Sequence, residues 1–98
     1  MARIRSIKPD AFTSDTLSLC SILARWTFAG LWTYCDDYGR GRYDVRLIKA
    51  ALFPLDDSTT LQNVRDALDE LVEADDALCL YEANGRQYLH LPKWGAHQ

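Results

Sequence analysis

The chain is poor in the residues that build reactive or cross-linked sites: its 98 residues include three cysteines and two histidines. Cys20, Cys35 and Cys79 are odd in number, widely spaced and never in a CxxC pair. They suggest neither a zinc site nor a disulfide framework, and read as reduced core thiols of a cytosolic protein. No HExxH, GxSxG or phosphate-loop pattern is present. Asp36-Asp37 and Asp56-Asp57 read as helix-end and turn residues rather than paired acid/base carboxylates. The opening MARIRSIKPD is basic and lacks the apolar segment of a secretory signal. The longest weakly charged stretch is too short, and too polar at its end, for the roughly 20 apolar residues of a membrane span. These absences argue against an enzyme, a cofactor or metal protein, and a membrane protein.

What remains suffices for one domain, residues 1–98, because 48% of the residues are hydrophobic and three are tryptophan. The net charge of −3 disfavours a nucleic-acid partner, but the charge is unevenly spread. Residues 1–50 hold eight Lys/Arg against five Asp/Glu, and residues 51–98 hold three against nine. That asymmetry can build a basic and an acidic face on one small domain.

Residues 21–39 anchor the fold. Ile22, Trp26, Ala29 and Thr33 recur at helical spacing, and further apolar residues make the segment apolar nearly all round, as in a central helix. Ser21 can cap its start and Gly39 can end it in a left-handed turn, with Trp26 buried mid-helix. Before it come an extended basic arm, residues 1–9, and a helical turn or two anchored by Phe12, Leu17 and Leu19 and capped by Ser14 or Asp15. After it, Gly39 and Gly41 mark a turn, and Arg42-Tyr43 form a very short strand. Asp44 caps a second helix from Val45 to about Phe53, stopped by Pro54, with Val45, Ile48 and Leu52 inward. Thr59 or Thr60 caps a third helix, Leu61 to Ala74. Its buried stripe is Leu61, Val64, Leu68, Leu71 and Val72, and its polar face, Glu70 included, points outward.

The last element is a hairpin. Asn84-Gly85 suits the two-residue type I′ turn, which needs positive φ at both positions. Pairing outward from Ala83 and Arg86 sets Leu80 opposite Leu89 and Leu78 opposite Leu91 on one side. It sets Tyr81 opposite Tyr88 and Cys79 opposite His90 on the other. A slip by one residue would scatter the leucines, so turn rule and apolar pattern agree on one register. Cys79 beside His90 reads as a packed outer-face pair rather than a nucleophile pair or metal ligands. Pro92 ends the strand, and residues 93–98 form a tail with Trp94.

The order helix, short strand, helix, turn, helix, hairpin is that of an α+β, mainly helical, winged helix-turn-helix domain: three main helices and a two-stranded wing. Winged helices also serve as protein-binding modules, so the order bears more on fold than on function. The segments RIRSIKPDAFTSDTL, ILARWTFAGLWTYCDDYGRGRYDVRLIKAALFPLDD and VRDALDELVEADDALCLYEANGRQYLHLPKWGAHQ resemble the amino-terminal domain of phage and prophage replication proteins of the replisome-organiser or helicase-loader type. Ile7-Lys8-Pro9, Gly30-Leu31-Trp32, Asp37-Tyr38-Gly39-Arg40, Ile48-Lys49-Ala50, Phe53-Pro54, Trp94 and His97-Gln98 carry the likeness. Ala74-Asp75-Asp76-Ala77 departs from it where a glycine commonly ends the third helix. The resemblance implies a DNA-binding protein of the bacterial cytoplasm, acting in replication initiation or transcriptional regulation.

For duplex DNA the exposed cations Arg3, Arg5, Lys8, Arg40, Arg42, Arg46, Lys49 and Arg86 suit phosphate contacts. Thr59, Thr60, Gln62, Asn63 and Arg65, in and before the first turns of the third helix, suit base contacts. Farther along, Asp69, Glu70, Glu73, Asp75 and Asp76 would repel phosphate and sit at the negative end of the helix dipole. The rival expectation is a protein-interaction module whose aromatic surface and acidic third helix form a homodimer or dock on a replication or transcription protein. No cofactor is expected under either reading.

Overall fold

The computed structural model describes residues 15–74 and 77–92. Arg3, Arg5, Lys8, Phe12, Asp75, Asp76, Trp94 and His97 lie outside them. Four helices, α1 (Asp15–Ser18), α2 (Ile22–Tyr34), α3 (Val45–Leu52) and α4 (Leu61–Glu73), accompany three strands, β1 (Arg40–Arg42), β2 (Cys79–Ala83) and β3 (Arg86–His90). The sheet is antiparallel with order β1-β3-β2. The result is a small α+β domain: helices packed on one another, and a sheet closing the core with one face.

Local chemistry sets the helix starts. Ser21 Oγ accepts from the Ala24 amide (3.1 Å), Asp44 from Arg46 (2.9 Å), and Thr60 from Asn63 (3.0 Å). Asn63 Oδ1 in turn accepts from the Thr60 amide (2.9 Å), completing a capping box. Phe53 caps the end of α3, directly before Pro54. The hairpin register is the expected one, from Ala83–Arg86 out to Cys79–His90, with Asn84 and Gly85 at φ 54° and 76°.

The central helix departs from expectation twice. It ends at Tyr34, not near Gly39, because the Asp36 side chain takes the amides of Tyr38 (2.8 Å) and Arg40 (3.0 Å) and diverts the chain into a turn. Gly39 is left-handed, at φ 74°, but it leads into β1 instead of capping the helix. The buried face is also a different one. Ala24, Thr27, Leu31 and Trp32 are buried, whereas Trp26 is 65% exposed and Ile22 73%. A helix apolar nearly all round does not reveal which side its neighbours take. Here α3 and α4 take the side with small residues: a Cβ on Gly30 would lie 2.8 Å from Leu52 of α3. Trp32, meeting Phe28 edge-on at 5.8 Å, is the core tryptophan. Buried Thr27 satisfies its hydroxyl by donating to Leu23 O (2.8 Å).

Smaller corrections follow the same logic. Leu17 is buried but Leu19 is exposed, and on α4 Ala67 replaces the outlying Leu61 and Val72 in the buried set. Cys20 and Cys35 are buried thiols, while Cys79 is exposed on β2. Ile48, Val64, Leu68, Leu71, Leu89 and Leu91 are fully buried, so the inner sheet face completes the helical core.

Glu70 does not point outward as expected. Its carboxylate accepts from the Ser21 amide (2.8 Å) and from Ser21 Oγ (2.6 Å), tying α4 to the start of α2. Those bonds hold the Glu70 carboxyl below its ordinary value of 4.5. A carboxyl depressed on folding contributes stability that is fully present above its unfolded value and is lost as pH falls through the folded one. Ser21→Ala is expected to cost about 0.5–2 kcal/mol. Glu70→Gln is expected to flatten the fall in melting temperature below about pH 4.5, the ordinary value. Thermal denaturation across that range checks both. Gly85→Val should cost about 1–2 kcal/mol through its positive φ alone, since a Cβ there meets nothing within 4 Å.

Candidate nucleic-acid interface

Side chains alternate along a strand, and directly paired residues share a face. Gly41 and Leu89 pair on the inner face: a Cβ on Gly41 would lie 3.0 Å from the Tyr34 ring. Arg40, paired with His90, and Arg42, paired with Tyr88, therefore stand on the outer face. Cys79, Tyr81 and Ala83 of β2 and Arg86 of β3 join them there. The sheet thus gathers three arginines, a histidine and two tyrosines on one side, with no carboxylate among these strand residues. Tyr81 and Tyr88 stack, ring centroids 5.6 Å apart and planes 21° apart.

The turn before β1 is fixed by Asp36, whose N–H also donates to Arg40 O (2.8 Å). Arg40 Nε lies 3.8 Å from Asp36 Oδ2, and its guanidinium stands 5.1 Å from the centroid of the exposed Tyr38 ring. Arg42 is exposed, and its carbonyl accepts from Tyr34 OH (2.8 Å). Arg86 is exposed beside the hairpin turn. Arginine charges next to exposed aromatic rings suit phosphates and nucleobases, which offer negative charge and flat π-surfaces.

The remaining candidates are dispersed or already engaged. Arg46, at the start of α3, folds back on Asp44, with Nη2 to Oδ2 at 3.0 Å, and keeps its partner's carboxyl below its ordinary range. Lys49 is half-buried on the same helix. Thr59 donates its amide (3.0 Å) and hydroxyl (2.6 Å) to Asp56, which also accepts from Ser58. Thr60 and Asn63 cap each other, and Gln62 Nε2 donates to Asp66 (2.8 Å). Of the base-reading set, Arg65 differs: it lies near Tyr43, just after β1. Burial pushes the Tyr43 phenol up, Asp69 adds to that and Arg65 opposes it. Arg65 is exposed on α4.

The exposed face of α4 is acidic through Asp66, Asp69 and Glu73, as its sequence indicated. The aromatic half of the sheet face, Tyr81, Tyr88 and His90, was not among the sequence-predicted site residues. The hairpin register had put these side chains together, but nothing near them in sequence showed that β1 joins the same sheet. Among the described residues no group of three His, Cys, Asp or Glu is arranged to hold a metal, and no helix is long and apolar enough to cross a membrane.

Two outcomes test this geometry. Gly41→Val should force the Tyr34 contact and cost about 1–3 kcal/mol by overpacking, with loss of the Arg42–Tyr88 cross-strand contacts in NMR spectra. The Asp56 carboxyl sits at about 2 against an ordinary 3.8, because Thr59 and Ser58 donate to it. Its hold on the α3–α4 turn is therefore complete above pH 3.8 and lost as pH falls toward 2. Amide shifts of Ser58 and Thr59 followed through an acid titration should move together over that interval. The chain matches no protein-family model, and neither a curated protein nor a solved structure matches it.

Proposed function

We propose that this is a winged helix-turn-helix domain that binds duplex DNA, in the manner of phage replication-initiation or regulatory proteins. The observation that carries the reading is the outer sheet face, where Arg40, Arg42 and Arg86 surround the Tyr81–Tyr88 stack without a carboxylate among them. The element order supports it: α2, α3 and α4 take the parts of the three helices, and β2–β3 that of the wing. The motif resemblance to replication proteins points the same way.

Affinity then comes chiefly from phosphate contacts by the cations of β1, the hairpin and the start of α3. Arg46 can turn from Asp44 to a phosphate, since its own side chain is 79% exposed, while Asp44 keeps its bond to the Arg46 amide. Sequence preference falls to the start of α4, with Arg65 as the best-placed base reader. Thr59, Thr60, Gln62 and Asn63 shape that end of the helix, because capping bonds and side-chain partners already occupy them. The acidic outer face of α4 sets the limit of the DNA track.

Fluorescence anisotropy with random and candidate origin or operator duplexes tests the proposal. If about four cations meet phosphates, log K should fall against log salt with a slope near −3.6. Replacing Arg42 and Arg86 together by Gln should weaken binding to every sequence and flatten the slope by about 1.8. Replacing Arg65 should instead narrow the difference between sites, by about 1–3 kcal/mol. An absence of salt-sensitive duplex binding by the wild-type chain would remove this reading.

A further inference from the structure

The solvent-facing side of α2 presents an apolar groove that the DNA reading does not use. Its walls are Ile22 and Trp26 on one side and Pro54 and Leu55 on the other, and Leu23, Leu52 and Phe53 line it as well. The groove is shallow and open to solvent, with a volume of about 530 Å³. Trp26 is 65% exposed, Ile22 73% and Leu55 95%, an unusual outlay of large apolar surface for a small domain. From this we infer that the groove is the interface of a two-fold homodimer, in which Trp26 and Leu55 of each protomer enter the groove of the other.

Charge selects a second copy as the occupant. A two-fold interface sets the same patch against itself, so a face with unneutralised charge repels its own copy near the axis. The outer sheet face is basic and the exposed face of α4 is acidic, so each of these would repel itself. The groove is different. Seven of its eight lining residues are uncharged, and its one carboxylate, Asp56, is turned toward the Ser58 and Thr59 donors that it accepts from. Arg25, on the same stretch of α2, donates to Ser18 O (2.8 Å) and Cys20 O (3.0 Å), which draws its charge toward the end of α1.

The area also fits. Trp26, Ile22, Leu55 and the flanking groove residues offer on the order of 500 Å² of apolar surface. A symmetric pair would bury roughly 1,000 Å², which is near the lower bound for a specific interface and implies a reversible dimer. Trp26 is the natural anchor, since central aromatics carry most of the binding at such interfaces. The groove shares no residue with the outer sheet face, so dimerisation and DNA binding are separable, and a dimer would present two basic faces at once.

Sedimentation velocity of the whole chain without DNA, over a concentration series, tests the inference. The wild type should dimerise with a dissociation constant on the order of 10 µM. Trp26→Glu and, separately, Leu55→Glu should each raise that constant by about 30-fold or more. Circular dichroism melts should stay close to wild type, because both side chains already face solvent. A wild-type chain that is monomeric at about 500 µM would overturn the inference. That result would also follow if the chain's own end segments or an unlike protein fill the groove. A dimer that survives both substitutions would overturn it equally, by placing the interface elsewhere.

Discussion

The close approach of β1 to the end of α2 at Gly41 is the constraint on which the rest of the candidate interface depends. Gly41 lies on the inner face opposite Leu89, in space bounded by the Tyr34 ring and the Cys35 sulfur. A side chain there would push β1 off the core. With Gly41 seated, alternation obliges Arg40 and Arg42 to face outward, and pairing sets them beside His90 and Tyr88. Tyr34 reinforces the arrangement from the other side through its hydroxyl on Arg42 O. One missing Cβ therefore links the central helix, the sheet and the basic face.

The charge pattern shows a division of labour among carboxylates that a charge map conceals. Glu70 stabilises the start of α2, Asp44 the start of α3, and Asp56 the α3–α4 turn. Asp36 shapes the turn into β1. Each accepts from backbone or hydroxyl donors close by and is structural. Asp66, Asp69 and Glu73 remain as the solvated acidic face of α4. The outer-face strand residues include no carboxylate, and the acid beside them is Asp36, 3.8 Å from Arg40, so the sheet face is mainly basic even though the whole chain is acidic.

Trp26 and Trp32 show how little residue type says about position on a helix of this kind. Both are on α2, six residues apart, and only Trp32 enters the core. Burying Trp26 would have filled the core with bulk where Ala24, Thr27 and Gly30 instead let α3 and α4 come close. Small residues fix the packed side by permitting close approach, and the large apolar residues opposite them are left for another surface.

The sequence by itself determined the short-range features: the caps at Ser21 and Asp44, a third cap narrowed to Thr59 or Thr60, the stop at Pro54, the Asn84-Gly85 turn and the hairpin register. Each is legible because its partners lie within a few residues, or because two local rules converge on one register. The tertiary structure alone decided which side of α2 is buried, that Glu70 bonds Ser21 across 49 positions, and that β1 pairs with β3. An all-apolar helix, an acidic side chain and a three-residue strand each leave their partner open locally. Only when distant segments compete for the same space is one partner selected, and the outer sheet face and the groove beside Trp26 both arise from that selection.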